Sequence, residues 1–227
     1  MISGILLDLS GVLYTDNLPI QGATESLSRL QNSGLPIRYV TNTTRKPRHK
    51  IHQQLLDLGF TIDSDDLFTA PMAAHAYLTA NGLSPFLLIH PDLMDEFTDL
   101  KGDKLDAVLI GDADQEFTYN NMNTAFRLLI EGAPLVAMGK NRYFMQQDGL
   151  SIDAGAFVTA LEYAADTQAI ITGKPELRRV IYDRAVRLLT DRQLRKQVVT
   201  AARERVAGDA VDAFRATRAA RQHAVGP

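Results

Sequence analysis

The chain has 227 residues, 45% hydrophobic and 22% charged, with a formal net charge of −3 and no cysteine. That length can bury a substantial core, and the missing cysteines exclude disulfides, thiolate catalysis and Cys-based zinc or iron–sulfur centres. The start lacks the basic and long apolar stretches of a secretory signal, and no window approaches about 18 uninterrupted apolar residues, so a cytoplasmic protein that does not engage a membrane is expected.

Ile2 to Leu7 reads as a buried strand that runs straight into a carboxylate, Asp8, followed by Leu9-Ser10-Gly11-Val12. Residues 22–34 carry Leu27 and Leu30 at helical spacing, with Gly34 as a stop. A second apolar run, Leu35-Pro36-Ile37-Arg38-Tyr39-Val40, ends in polar residues from Thr41. A helix follows, with Pro47 near its first turn, Ile51, Leu55 and Leu58 on one face and Gly59 at its end. Residues 65–70 form a short third strand and 71–82 another helix. Short apolar strands alternating with helices predict a parallel α/β sheet.

A second α/β pattern begins near Ser84. Strands are expected at 86–90, 106–112 and 133–139, a helix at 118–132 closed by Gly132, and another helix in which Phe157, Leu161 and Ala164 share a face. Asp148 and Gly149 suit a hairpin turn. Residues 168–176 form an apolar run stopping at Gly173-Lys174-Pro175. There is no fixed-period repeat, low-complexity run or long linker, so a core sheet interrupted by an inserted domain is expected.

Three strand ends are polar: Asp8, Thr41 and Lys174. Open parallel sheets bind ligands at the carboxyl ends of their strands. A carboxylate, a hydroxyl and an ammonium gathered there suit phosphoryl transfer: the carboxylate can take the phosphoryl group covalently, while the other two bind its charged oxygens. Backbone amides beside Gly11 and near Asn42 are further donors of the right kind. Taken singly, Asp8 is more often a cap or turn residue and Lys174 a surface lysine at a helix start. A receiver domain uses the same three residue types, but the 133 positions from Thr41 to Lys174 exceed such a domain.

The segments DLSGVLYTD, VTNTT and TGKPE resemble the first three motifs of the haloacid dehalogenase (HAD) superfamily of phosphatases, and the insertion between Thr41 and Lys174 resembles the type-two cap of its subclass IIA. FVTALEYA, AFRLLIEGAPLVA, YNNMNTAF and KNRYF further resemble members of that subclass that act on phosphoramidates and pyrophosphate. The resemblance covers residues 1 to about 176. It implies an α/β fold, a Rossmann-like parallel-sheet HAD core with an inserted α/β type-two (C2) cap: core over 1–71, cap over 72–168, and a return to the core from 169. It implies Asp8 as nucleophile and Mg²⁺ ligand, Thr41 as a phosphoryl ligand supported by Asn42, and Lys174 as a counter-charge to both. Most of the superfamily has an Asp two residues after the nucleophile as general acid and base. Here Ser10 stands there, as in the subgroup just described; its hydroxyl is a poor acid near neutral pH, which favours good leaving groups, while its backbone carbonyl can still ligate Mg²⁺.

The sequence changes character after Glu176. Residues 177–227 hold eleven Arg and one Lys against five acids, a net +7, which leaves residues 1–176 at −10. The family continues with a strand ending in acids that complete the Mg²⁺ site. This tail instead reads as an atypical Arg-rich helical segment, its nearest match offering Asp209 and Asp212, with two acids on a solvated helical face as the alternative. A changed reading frame or a fusion would explain the break.

His49, His52, His75, His90 and His223 lack metal-ligand spacing and are expected in surface or core roles. The tail arginines lack interleaved aromatics, so no nucleic-acid partner is expected. Asn141, Arg142 and Tyr143 are candidates to face substrate from the cap, with solvent the equal alternative. A Mg²⁺-dependent phosphatase of small phosphorylated molecules, phosphoramidates or pyrophosphate is the first expectation. A degenerate phosphate- or partner-binding protein is the second, and a homodimer through the cap is left open.

Overall fold

The computed structural model describes residues 4–173 apart from 16, 101, 147 and 148. By its internal contacts the chain divides into Gly4–Ala185 and a second unit of Met1–Ser3 with Val186–Pro227. Every described residue belongs to the first unit, whose architecture follows.

The chain enters through β1 (Ile5–Asp8), a narrow antiparallel ribbon of β2 (Tyr14–Thr15) and β3 (Leu18–Pro19), and α1 (Ala23–Gln31). Then come β4 (Ile37–Thr41), α2 (Arg48–Asp57), β5 (Leu67–Thr69) and α3 (Ala70–Ala80). Strands β1, β4 and β5 pair in that order, all parallel, with Asp8 opposite Val40 and Thr41 opposite Thr69. Under this sheet Leu27 of α1 and Ile51 and Leu55 of α2 bury against Tyr39, Leu67 and Leu9. Those are the periodic apolar positions of the two helices, which is why they form where they do.

A second sheet is built from β6 (Pro85–Leu88), β7 (Ala107–Ile110), β8 (Leu135–Ala137) and β11 (Ile170–Ile171), in the order β11-β8-β7-β6, all parallel. All four β7 residues are fully buried, as expected of a parallel strand covered on both faces, whose sequence is a continuous apolar run. One face meets α3 through Ala70, Ala74 and Leu78. The other is covered by α4 (Tyr119–Ile130) and α5 (Ala154–Ala165), through Ala125, Leu129, Val158 and Leu161. Between β8 and α5 stands the antiparallel hairpin of β9 (Tyr143–Gln146) and β10 (Gly149–Ile152).

α3 belongs to both layers. Thr69 ends β5 and its side chain also caps α3, accepting the Met72 N–H at 3.3 Å. Ala73 on the same helix packs with Val40 and Phe68 of the first sheet.

The strand at 170–171 differs from expectation. The run from 169 was expected to return to the first layer, yet Ile170 and Ile171 pair with Val136 and Ala137 of β8. The strand–helix–strand path through α5 lays the next strand on the open edge of β8. Lys174, Asp209 and Asp212, and the expected Arg-rich helical tail, lie outside the described residues, as does Asp148 of the expected hairpin turn.

Candidate active site

Asp8 and Thr41 are the last residues of adjacent parallel strands, so both stand at the carboxyl edge of the first sheet, with Asp8 opposite Val40 and Thr41 one position further along. The Asp8 residue is exposed, and its Oδ1 accepts the Leu9 N–H at 2.8 Å. Thr41 is buried, 2% exposed. Its Oγ1 accepts the Thr43 N–H at 3.2 Å and lies 3.0 Å from Thr43 Oγ1. Burial, and after it the charge of Asp8, pushes the Tyr14 phenol above its ordinary value.

Ser10 is exposed and bridges to Tyr14. Gly11 has φ +76, the left-handed region glycine enters without penalty. Its N–H donates to the Tyr14 carbonyl at 2.8 Å, and the Val12 and Leu13 amides both donate to the Leu9 carbonyl. The glycine thus shapes a tight turn in which its own amide is bonded internally.

Asn42 lies where the two sheets approach. A Cβ built on Gly173, at the end of the second sheet's β11 segment, would sit 3.6 Å from Asn42 Oδ1 and 1.8 Å from the Met138 carbonyl oxygen. The chain therefore reaches Asn42 one residue before Lys174.

The loop after β4 holds a charged cluster that the sequence reading missed. Thr44 Oγ1 accepts the Asp112 N–H at 3.2 Å, just past the end of β7. Arg45 lies with Nε 2.6 Å from Asp112 Oδ2, a contact of distance and charge without an aligned hydrogen bond, and donates from a terminal nitrogen to Asp114 Oδ1 at 2.9 Å. Its guanidinium carbon is also 5.2 Å from the centre of the Phe144 ring. Asp153 caps α5 by accepting the Ala154 N–H at 2.6 Å. Burial raises the Asp153 carboxyl above the usual range, the nearby Asp112 charge adds to the shift, and Ala154, Asn141 and Arg45 oppose it. The sequence signal was available: Asp112 follows the apolar run of β7 as Asp8 follows that of β1.

Asn141 and Arg142 are fixed by the start of α5, Gly155 N–H donating to the Asn141 carbonyl at 2.9 Å and Asp153 N–H to that of Arg142 at 3.2 Å. Tyr143 is exposed on β9. Of the histidines, His52 bonds the Ile62 carbonyl at 2.8 Å and His75 pairs with Asp99 at 2.9 Å, both structural contacts. No helix among the described residues is long and apolar enough to cross a membrane.

A family model described as Haloacid dehalogenase-like hydrolase matches residues 5–101. The mouse Haloacid dehalogenase-like hydrolase domain-containing protein 2 is 41% identical, over 77% of this chain and 68% of its own length. The zebrafish Phospholysine phosphohistidine inorganic pyrophosphate phosphatase is 40% identical, over 77% and 67%. Among solved structures, a glycerol phosphate phosphatase from Mycobacterium tuberculosis in complex with magnesium superposes with a TM-score of 0.68 at 24% identity, covering 76% of this chain and 55% of that one. The likeness extends to the parallel-sheet α/β fold.

Proposed function

The chain belongs to the haloacid dehalogenase-like hydrolases, and we propose that it is a phosphatase of small phosphorylated molecules that works through an aspartyl-phosphate on Asp8. One observation carries the reading: a carboxylate and a hydroxyl end neighbouring parallel strands, where such sheets bind ligands. The approach of Gly173 to Asn42 supports a role for Lys174 at the same edge, since it follows by one peptide unit. The names of the relatives, phosphatases of phosphoramidates and pyrophosphate among them, agree with the substrate class.

In the reaction, an Asp8 carboxylate oxygen attacks phosphorus while the bond to the leaving oxygen or nitrogen breaks, and the leaving group departs with the electron pair. Thr41 donates to a phosphoryl oxygen, and Lys174 offsets the charge gathered on it. Ser10 is no acid near neutral pH, so the leaving group takes its proton from water and good leaving groups react best. Water then attacks phosphorus, and inorganic phosphate and the Asp8 carboxylate are released.

A divalent cation fits the donors present. The exposed Asp8 carboxylate and the Ser10 backbone carbonyl are the hard oxygen ligands Mg²⁺ takes, and this ion keeps several waters of its own. No cluster of three His, Cys, Asp or Glu among the described residues is arranged to hold a metal, so a second protein carboxylate would come from beyond them, with Asp209 and Asp212 as candidates. The chemistry such an ion supplies is neutralisation of the phosphoryl oxygens.

The test is hydrolysis of para-nitrophenyl phosphate with and without Mg²⁺, by the intact chain and by Asp8→Asn. Hydrolysis that requires Mg²⁺ and disappears in the variant is expected, because an amide is a poor nucleophile. Full turnover by Asp8→Asn would remove Asp8 from the mechanism. Ser10 favours a second reading, a phosphate-binding protein of little turnover, which the same assay separates when inorganic phosphate binds and no ester is cleaved.

A further inference from the structure

We propose that Thr43 is a positioning residue that sets the direction of the Thr41 hydroxyl proton; the proposal rests on Thr41 being a phosphoryl ligand. A threonine hydroxyl has two lone pairs and one proton. The contact from the Thr43 backbone runs one way only, N–H donating to Thr41 Oγ1 at 3.2 Å, so one Thr41 lone pair is committed. The two hydroxyl oxygens are 3.0 Å apart, and that hydrogen bond can run in either direction. When Thr41 donates to Thr43, its proton is spent inside the loop. When Thr43 donates to Thr41, both Thr41 lone pairs are filled and its proton must go to a third group.

An anionic phosphoryl oxygen decides between the two directions. Its hydrogen bond from Thr41 is charge-assisted, roughly twice as strong as a neutral one, and the Thr43 hydroxyl donating from behind polarises the Thr41 O–H in the same sense. Thr43 thus acts through Thr41 without touching substrate. The loop is held in place for this purpose, because the next two residues are anchored to the second sheet: Thr44 accepts the Asp112 N–H and Arg45 pairs with Asp112 and Asp114. Those contacts anchor the loop immediately after Thr43.

The experiment uses the full chain with Mg²⁺ and para-nitrophenyl phosphate, together with calorimetric binding of inorganic phosphate. Thr43→Val keeps the volume and the backbone amide but removes the hydroxyl, Thr43→Ser keeps the hydroxyl, and Thr43→Ala serves should valine be poorly accommodated. Thr43→Val is expected to lower kcat about tenfold with KM changed less than about twofold, a smaller loss than removal of a direct oxyanion donor. Thr43→Ser is expected within about threefold of the parent. The Thr41→Val/Thr43→Val double variant is expected to be no slower than Thr41→Val, since groups that act through one contact are not additive. Parent-like kcat in Thr43→Val and Thr43→Ala, failure of serine to rescue, or additive losses would each overturn the positioning role while leaving the phosphatase reading intact. A parent chain that neither turns over nor binds phosphate overturns both.

Discussion

Gly173 shows how one missing side chain holds the site together. An added Cβ would sit 1.8 Å from the Met138 carbonyl oxygen and 2.9 Å from its carbon, closer than any real contact, and both are backbone atoms that cannot swing aside. The glycine lets the end of the β11 segment press against the end of β8, beside Asn42, immediately before Lys174. Gly173→Ala is therefore expected to destabilise the chain by about 1–3 kcal/mol, the range for forcing extra atoms into a packed region. Gly139→Ala is the control, because nothing lies within 4 Å of its added Cβ. Urea unfolding of both variants checks this; equal stability would show that the β8–β11 contact yields easily. The residues proposed to carry chemistry were easier to read than this one. Asp8 and Thr41 announce themselves as polar residues ending apolar runs, whereas the close approach of Gly173 to Met138 depends on where two distant segments meet.

At the scale of elements, what was legible is what repeats locally. Ile51 and Leu55 at helical spacing located α2, and the apolar run ending at Thr41 located β4 to its last residue. The ribbon of β2 and β3 escaped because two-residue strands have no period to detect. The segment Pro91–Leu100, a 3-10 helix burying Leu93 and Phe97, went unread although Leu93, Phe97 and Leu100 stand at helical spacing. The joining of β11 to β8 was not legible either, since an apolar run does not say which sheet edge awaits it. Thr69 is the element-scale hinge between layers: it pairs with Thr41 in the first sheet and caps α3, the helix that packs on both sheets. Thr69→Val keeps shape and strand propensity but removes the acceptor for the Met72 N–H. It is expected to cost about 1 kcal/mol, the usual loss for an N-cap hydroxyl, with Thr69→Ser close to the parent. Denaturant midpoints decide; an unchanged Thr69→Val would mean the first turn of α3 is held by packing alone.

At the scale of the whole described unit, the loop after β4 joins two sheets through charge. Asp112 is 67 positions beyond Arg45 in the chain, so no local pattern could pair them. Its side chain is 10% exposed and its principal cation is Arg45, itself 32% exposed. Asp153 stands close enough that its carboxyl is raised, first by burial and then by the Asp112 charge, with Arg45 pulling the other way. Removing Arg45 leaves a buried acid, Asp112, near the half-buried Asp153 without their cation, and breaking a buried pair on one side costs about 3–5 kcal/mol. Because Arg45 is partly open to water, about 2 kcal/mol is the expected loss for Arg45→Met near pH 7, discounted for screening.

The sign of the pH dependence follows from the direction of the Asp153 shift. A carboxyl raised in the folded state holds its proton more tightly there than in the unfolded chain, so protonation favours folding, and this contribution fades as pH rises through the folded value. Loss of Arg45 raises that value further. The Arg45→Met deficit should therefore be largest near pH 7 and shrink at mildly acidic pH, as Asp153 takes up its proton. Arg45→Met/Asp112→Asn should be more stable than Arg45→Met alone near pH 7, because the stranded charge is gone. Urea denaturation of the three proteins at both pH values checks each step. A deficit independent of pH, or a double variant no better than the single, would show that Arg45 acts by packing against Phe144 of the β9–β10 hairpin and not by neutralising Asp112.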